Sequence, residues 1–258
     1  MKNIDLKSKY NQVYKDGGYE NFFSFLPYEE SETIIKSIPT WEGKEVLEIG
    51  CGEGDLSSLI AYHGAKKVTA IDFSEEAISI AKKRYNLSNV QFHQCDYKEV
   101  KTRYDVVVMQ GVLEHMDNPL ETLKYIKNKL LKMNGYIICS CPNFINPRGY
   151  IYMTLKLLFN VPMSLTDIHY LSQADFYEFA GKLGMSLQYR LCEELWANGR
   201  KMIIDLKKRI PKALSDIGLQ GNTEALIEWL EKNLTYISKL HFSFSNSEGA
   251  VSVYTLNR

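Results

Sequence analysis

Glu45-Val46-Leu47-Glu48-Ile49-Gly50-Cys51-Gly52-Glu53-Gly54 is the stretch whose reading decides the fold. Val46, Leu47 and Ile49 form a short apolar run of the kind a buried parallel strand needs. The run stops at glycines on alternate positions, Gly50, Gly52 and Gly54. Glycine there allows a tight turn and leaves no Cβ between the main chain and a ligand. An apolar, helix-compatible run from Leu56 to Ala61 follows. The spacing therefore predicts a strand, a Gly-rich turn and a helix. In an open α/β sheet a ligand rests at such a turn, at the carboxyl ends of the strands.

The spacing excludes two phosphate-binding loops. A dinucleotide fingerprint needs a third glycine three positions beyond the second, and that position is Asp55. The Gly-Lys-Ser/Thr ending of a phosphate-cradling loop is absent, since no lysine follows Gly54. What remains, acidic-x-Gly-x-Gly-x-Gly, reads either as a plain helix-starting turn or as a ligand loop. It resembles the first motif of the class I S-adenosylmethionine-dependent methyltransferases, and the later strand ends separate the two readings.

Lys67-Val68-Thr69-Ala70-Ile71-Asp72 is a second short strand ending in a carboxylate, which can accept hydrogen bonds from both hydroxyls of a ribose. Ser74, ahead of Glu75-Glu76, suits a helix N-cap better than Asp72 does. Asp72-Phe73-Ser74 resembles the second motif of the same family, where the residue after the acid packs on the adenine ring. After a helix over Glu75–Tyr85, a third strand is expected over Val90–Tyr97. The resemblance implies that Asp96 meets the exocyclic amine of adenine, with Tyr97 beside it. The fourth strand, Tyr104–Met109, is nearly all apolar and so central. Gln110-Gly111-Val112-Leu113-Glu114-His115 resembles the family segment that ends in Leu-Glu-His beneath the methionine half of the cofactor. The cofactor set implied in this way is Glu48, Gly50, Cys51, Gly52, Gly54, Asp72, Phe73, Asp96, Tyr97, Gln110, Gly111, Val112 and His115.

The implied fold is α/β, a doubly wound, seven-stranded, mostly parallel Rossmann-like sheet. Residues 1–40 are expected to form a helical lid rich in aromatics. Tyr14 and Tyr19 flank a hinge at Asp16-Gly17-Gly18 and are expected to close over the cofactor. Residues 41–196 form the core, with a helix over Pro119–Lys132, a fifth strand over Gly135–Cys141, and a sixth over Ser186–Leu191, with Trp196 as the limit of its extension. Tyr150–Phe159 reads as an amphipathic helix, too short to span a bilayer but able to lie on one or roof a pocket. Ser172 is expected to cap a helix over Gln173–Leu183. Residues 197–241 carry helical periodicity (Ile203, Leu206, Ile210; Leu226, Ile227, Trp229, Leu230, Leu234, Ile237), an insertion that caps the pocket or makes a dimer face. Residues 242–258 supply the last strand, Ala250–Leu256, with His241–Phe244 as a possible partner.

Composition narrows the partners. The 258 residues are 45% apolar and 24% charged, with Lys+Arg and Asp+Glu equal at 31, so no global field attracts nucleic acid. The cysteines, odd in number and set in apolar segments, read as reduced core residues of a cytoplasmic protein. Cys139-Ser140-Cys141 lacks the spacing of a zinc pair, so no metal is expected. The polar N-terminus has no signal-peptide core. A monomer or homodimer acting on a small molecule is the expectation, with peripheral membrane contact open.

S-adenosyl-L-methionine carries an electrophilic methyl and leaves as S-adenosyl-L-homocysteine, so the protein's task is alignment. A hydroxyl acceptor gains roughly two to four orders of magnitude from a general base. His169 and His115 are the candidates, with Glu114 and Tyr170 behind them; histidine suits the task because it titrates near neutrality. Family resemblance places Asn143, His169 and Tyr170 at the substrate. O-methylation of a sugar, nucleotide-linked or surface-polysaccharide precursor is the first expectation. A lipophilic quinone-type precursor or a small amine is the alternative, and a cofactor-binding interaction module is the non-enzyme reading.

Overall fold

Short aliphatic runs set the sheet. In the computed structural model, residues 28–161, 168–197, 199–239 and 249–258 are described. Tyr14, Tyr19 and the strand expected at His241–Phe244 lie outside them. The strands are β1 (Glu45–Ile49), β2 (Lys67–Asp72), β3 (Val90–Gln94), β4 (Tyr104–Gln110), β5 (Leu131–Pro142), β6 (Ser186–Cys192) and β7 (Val251–Asn257). They lie in the order β3-β2-β1-β4-β5-β7-β6. The pairs β1–β2, β1–β4, β2–β3 and β4–β5 are parallel. β7 runs against β5: Arg258 N–H donates to the Gly135 carbonyl at one end, and Asn143 N–H to the Ala250 carbonyl at the other.

Strands covered on both faces must be apolar throughout. Val46, Leu47, Val106, Val107, Val108, Ile137 and Ile138 are fully buried. The chain leaves β1 toward β2 on one side and returns through β4 on the other. This reversal of strand order puts a crevice at the carboxyl ends of β1 and β4, where open α/β sheets bind ligands.

The helices are α1 (Tyr28–Ile35), α2 (Asp55–Tyr62), α3 (Glu75–Arg84), α4 (Pro119–Tyr125), α5 (Pro147–Phe159), α6 (Gln173–Leu183), α7 (Glu194–Ala197), α8 (Arg200–Asp216) and α9 (Thr223–Lys239). The structure moves four of the expected boundaries. β3 stops at Gln94, because Asp96 caps a 3-10 turn at Tyr97–Glu99. The helix from Pro119 gives way to a π turn at Ile126–Leu130. β5 starts at Leu131 rather than Gly135; its register against β4 shifts between Tyr104 and Val106, and Asn134 has φ +59°. β6 ends at Cys192, one residue past Leu191 and without the extension to Trp196, since Glu193 (φ +61°) turns the chain into α7.

The chain divides into two compact units. The first holds the described parts of 1–141, 173–190 and 253–258, and the second those of 142–172 and 191–252. In the first, Phe176 of α6 stacks on Tyr254 of β7 with ring centroids 3.6 Å apart, both fully buried. The second has its own core, in which Tyr152 and Val161 pack with Met202, Ile203, Leu206 and Ile210 of α8. The apolar period read over residues 203–210 is therefore a buried helix face. Trp229, from the same periodic reading of α9, instead lies exposed.

Candidate active site

The turn after β1 is held by backbone shape. Gly50 has φ +74°, and a Cβ built there would fall 2.5 Å from Cγ2 of Val112. Gly54 (φ +89°) is the N-cap of α2, and a Cβ there would meet the Phe92 ring at 2.8 Å. Both the left-handed backbone and the close approach demand glycine. The N–H groups of Gly50 and Cys51 both donate to the Ile71 carbonyl, at 2.8 and 3.0 Å, which ties the turn to the end of β2.

Asp72 ends β2 and is buried. Its Oδ2 accepts the N–H of Gly52 at 3.0 Å, and its Oδ1 accepts the N–H of Ser74 at 2.8 Å. Burial pushes its pKa up, against the backbone donors of Ser74, Gly52 and Phe73. Ser74 is the N-cap of α3, its side chain accepting the Ala77 N–H. Phe73 is half-buried, and its carbonyl accepts from Gln94 Nε2 at 3.3 Å.

Glu48 sits differently from the expectation of ligand contact. It is sealed inside the first unit, bonded to the Ser57 hydroxyl of α2, and burial raises its pKa to about 8. It fastens strand to helix beneath the turn. Asp96 is exposed, with Oδ1 accepting the Lys98 N–H at 2.8 Å in a capping box with Glu99. Tyr97 is buried, its ring edge-on to Tyr125 at 5.5 Å.

At the end of β4, Gln110, Gly111 and Val112 are half-buried, as is His115 in the 3-10 turn that follows. Gly111 N–H points at Ser140, meeting its carbonyl at 3.1 Å and its Oγ at 3.2 Å. The Ser140 hydroxyl donates to buried Glu30 of α1 at 2.5 Å, and Gln110 Nε2 donates to Ser31 Oγ at 3.3 Å. So α1 is latched to the carboxyl ends of β4 and β5. Glu114 is buried alongside, hydrogen-bonded to the Cys141 thiol; burial, then Glu114, push that thiol's pKa far up. Sequence reasoning missed Glu30, Ser31, Ser57 and Ser140, because no spacing rule marks such long-range partners.

The residues expected at the substrate fall in the second unit. Asn143 is buried, and its amide is committed to the chain: Nδ2 donates to the Gly249 carbonyl at 2.7 Å and Oδ1 accepts the Ile145 N–H at 3.2 Å. It fixes a loop instead of presenting an amide to a ligand. The Tyr170 ring packs edge-on against Phe144 at 5.2 Å. His169 is half-buried, and its Nε2 is enclosed with no hydrogen-bond partner among the described residues. Among the described residues there is no group of three His, Cys, Asp or Glu side chains that could hold a metal. No described helix is long and apolar enough to cross a membrane.

A glycine turn after β1 and a carboxylate at the end of β2 thus stand side by side, tied by the Gly52–Asp72 hydrogen bond. The family profile described as a methyltransferase domain matches residues 26–186. This chain belongs to the methyltransferase-domain family. Curated relatives include a ubiquinone biosynthesis O-methyltransferase of Coxiella burnetii, 36% identical over 132 residues, which are 49% of this chain and 53% of that protein. The mitochondrial ubiquinone biosynthesis O-methyltransferase of Schizosaccharomyces pombe is 38% identical over 114 residues, 42% of this chain and 41% of that one. The chain thus spans about half the length of the curated relatives it matches.

Solved structures extend the likeness of fold over most of the methyltransferase-domain chain. A SAM-dependent methyltransferase from Archaeoglobus fulgidus aligns with TM-score 0.57 and 19% identity, covering 93% of this chain and 98% of that one. Phosphoethanolamine N-methyltransferase 2 of Haemonchus contortus, in complex with S-adenosyl-L-methionine, aligns with TM-score 0.56 and 16% identity over 90% of this chain and 53% of that one.

Proposed function

We propose that the protein transfers the methyl group of S-adenosyl-L-methionine to a hydroxyl of a small molecule. The observation that carries this reading is the carboxylate of Asp72 fixed beside the N–H of Gly52 in a turn with glycine at every other position. Those residues fit the cofactor in the chemistry of their acceptor: a buried carboxylate at the end of β2 can accept two ribose hydroxyls. Phe73 stands next to it for the adenine, and the exposed carboxylate of Asp96 is assigned the exocyclic amine. Gln110–Val112 and His115 line the other side.

When bound, the cofactor supplies a methyl already activated for displacement. The chain's own work is to hold the acceptor in line and to accept its proton. His169 is assigned the proton. An enclosed ring nitrogen with no partner among the described residues contributes little to folding, which supports a role realised only with a ligand present. His115 stays a cofactor-side residue.

The comparisons reorder the acceptors expected from sequence. Relatives named for ubiquinone biosynthesis favour a lipophilic hydroxyl over a sugar. The second unit by itself holds an apolar groove of about 400 Å³, lined by Tyr150, Ile151, Leu155, Ile210, Leu214 and Leu226. Titration calorimetry with S-adenosyl-L-methionine and S-adenosyl-L-homocysteine, followed by methyl-transfer assays on catechols, sugar nucleotides and amines, tests the reading. Absence of cofactor binding overturns it, and transfer to sugar nucleotides alone overturns the choice of acceptor.

A further inference from the structure

Asp205 of α8 is buried in the second unit with two guanidinium groups around one carboxylate. Arg148 Nε donates to its Oδ2 at 3.1 Å, Arg209 Nε to its Oδ1 at 2.8 Å, and the Tyr152 hydroxyl to its Oδ2 at 2.5 Å. Burial alone would raise the Asp205 carboxyl, but Arg148 and Arg209 outweigh it and hold the pKa below the ordinary value. One carboxylate thus faces two cations, and the trio of Asp205, Arg148 and Arg209 carries one net positive charge.

The geometry of Arg148 is that of a fixed receptor. Its guanidinium carbon lies 4.8 Å from the Tyr152 ring centroid and 5.2 Å from that of Trp196, so two aromatic faces hold it. The side chain is only 17% exposed. Asp205 takes the Nε hydrogen alone, and among the described residues neither Nη nitrogen has a hydrogen-bond partner. A planar fork of donors, locked in orientation and with both Nη nitrogens unengaged among the described residues, matches two oxygens of a carboxylate or phosphate. Arg148 also stands in the first turn of α5. Ile151 and Leu155, three and seven residues on, share its helix face and line the apolar groove. Leu155 is about 10 Å along the helix axis.

We propose that Arg148 recognises an anionic group, carboxylate or phosphate, on a ligand whose apolar body lies along α5. Calling that ligand the methyl acceptor rests on the methyltransferase reading; the anion site itself does not. Three probes with one ring and different charge test it: phenol, benzoate and phenyl phosphate, titrated into the full chain by calorimetry or ligand-observed NMR. Benzoate or phenyl phosphate is expected to bind at least tenfold more tightly than phenol, the tighter of the two naming the group. Arg148→Met is expected to abolish that preference, and Lys208→Met, at an exposed lysine of α8, to retain it. Equal binding of phenol and the anions, an unchanged preference in Arg148→Met, or an equal loss in Lys208→Met overturns the proposal.

Arg148→Lys covers the case in which Arg148→Met does not fold. It keeps a charge for Asp205 but has no second arm, so a threefold or larger loss of anion affinity is expected, and none overturns the proposal. S-adenosyl-L-homocysteine is titrated into the same samples. Its failure to bind removes the methyltransferase reading and leaves the anion result standing, whereas its binding without any anion preference removes this proposal alone.

Discussion

The carboxylate of Asp72 reaches back to the turn after the neighbouring strand and accepts the N–H of Gly52 at 3.0 Å. On the proposed cofactor reading, one side chain therefore serves both the nucleoside end and the methionine end of the site. Asp72→Ala removes the acceptor for the ribose and the anchor of the turn together. A hydrogen bond to a charged group is worth about 1.5–3 kcal/mol, so affinity for S-adenosyl-L-homocysteine should fall at least about tenfold by calorimetry. Unchanged affinity would remove the crevice assignment.

Gly50 tests backbone shape separately from charge. An alanine at φ +74° costs about 1–2 kcal/mol from the left-handed backbone, and its Cβ collides with Val112. Gly50→Ala should lower the unfolding midpoint and cofactor affinity. Adding Val112→Ala relieves the collision and not the backbone strain, so the double variant should recover only part of the stability. Full recovery in urea melts would mean that the left-handed conformation is not required.

Much of this crevice was legible because strand ends leave marks: an apolar run, then glycines or an acid. Asp72 and Gly50–Gly54 could be placed on that basis. Glu48 could not, since its place between Leu47 and Ile49 says nothing of which face is dry. β1 is covered on both sides, so the carboxyl goes inside and needs Ser57. Glu30 and Ser140 meet across 110 positions of sequence, a contact set by how α1 lies on β5 and by no local pattern. Asn143 followed a strand end as a ligand residue would, yet a buried loop claims its amide. Trp229 kept the helical period but not the burial, because periodicity names a face without naming what covers it.

The burial of Glu48 has a pH signature. Its pKa rises from 4.5 to about 8 on folding, so the folded state holds a proton that the unfolded state releases. The contribution is fully present below pH 4.5 and is lost as pH rises through about 8. Stability should fall by a few kcal/mol across that window (about 1.4 kcal/mol per pH unit at most). Glu48→Gln, which cannot ionise, should flatten this limb of the curve. Urea titrations at several pH values measure it; parallel slopes in the two proteins would exclude Glu48 as the source.

His169 separates function from folding. Its enclosed Nε2 has no partner among the described residues, and a buried donor or acceptor left unmade is a net cost to the fold. Replacement by Leu should therefore leave the urea midpoint unchanged or raise it, whereas loss of a structural hydrogen bond would lower it. If His169 takes the acceptor's proton, His169→Gln and His169→Leu should each reduce kcat more than tenfold, in line with the roughly two to four orders of magnitude a general base supplies. Affinity for S-adenosyl-L-homocysteine should persist in both. Turnover retained in either variant removes His169 from the reaction and leaves His115 as the histidine to test. A drop in stability together with turnover assigns it to the scaffold of the second unit instead.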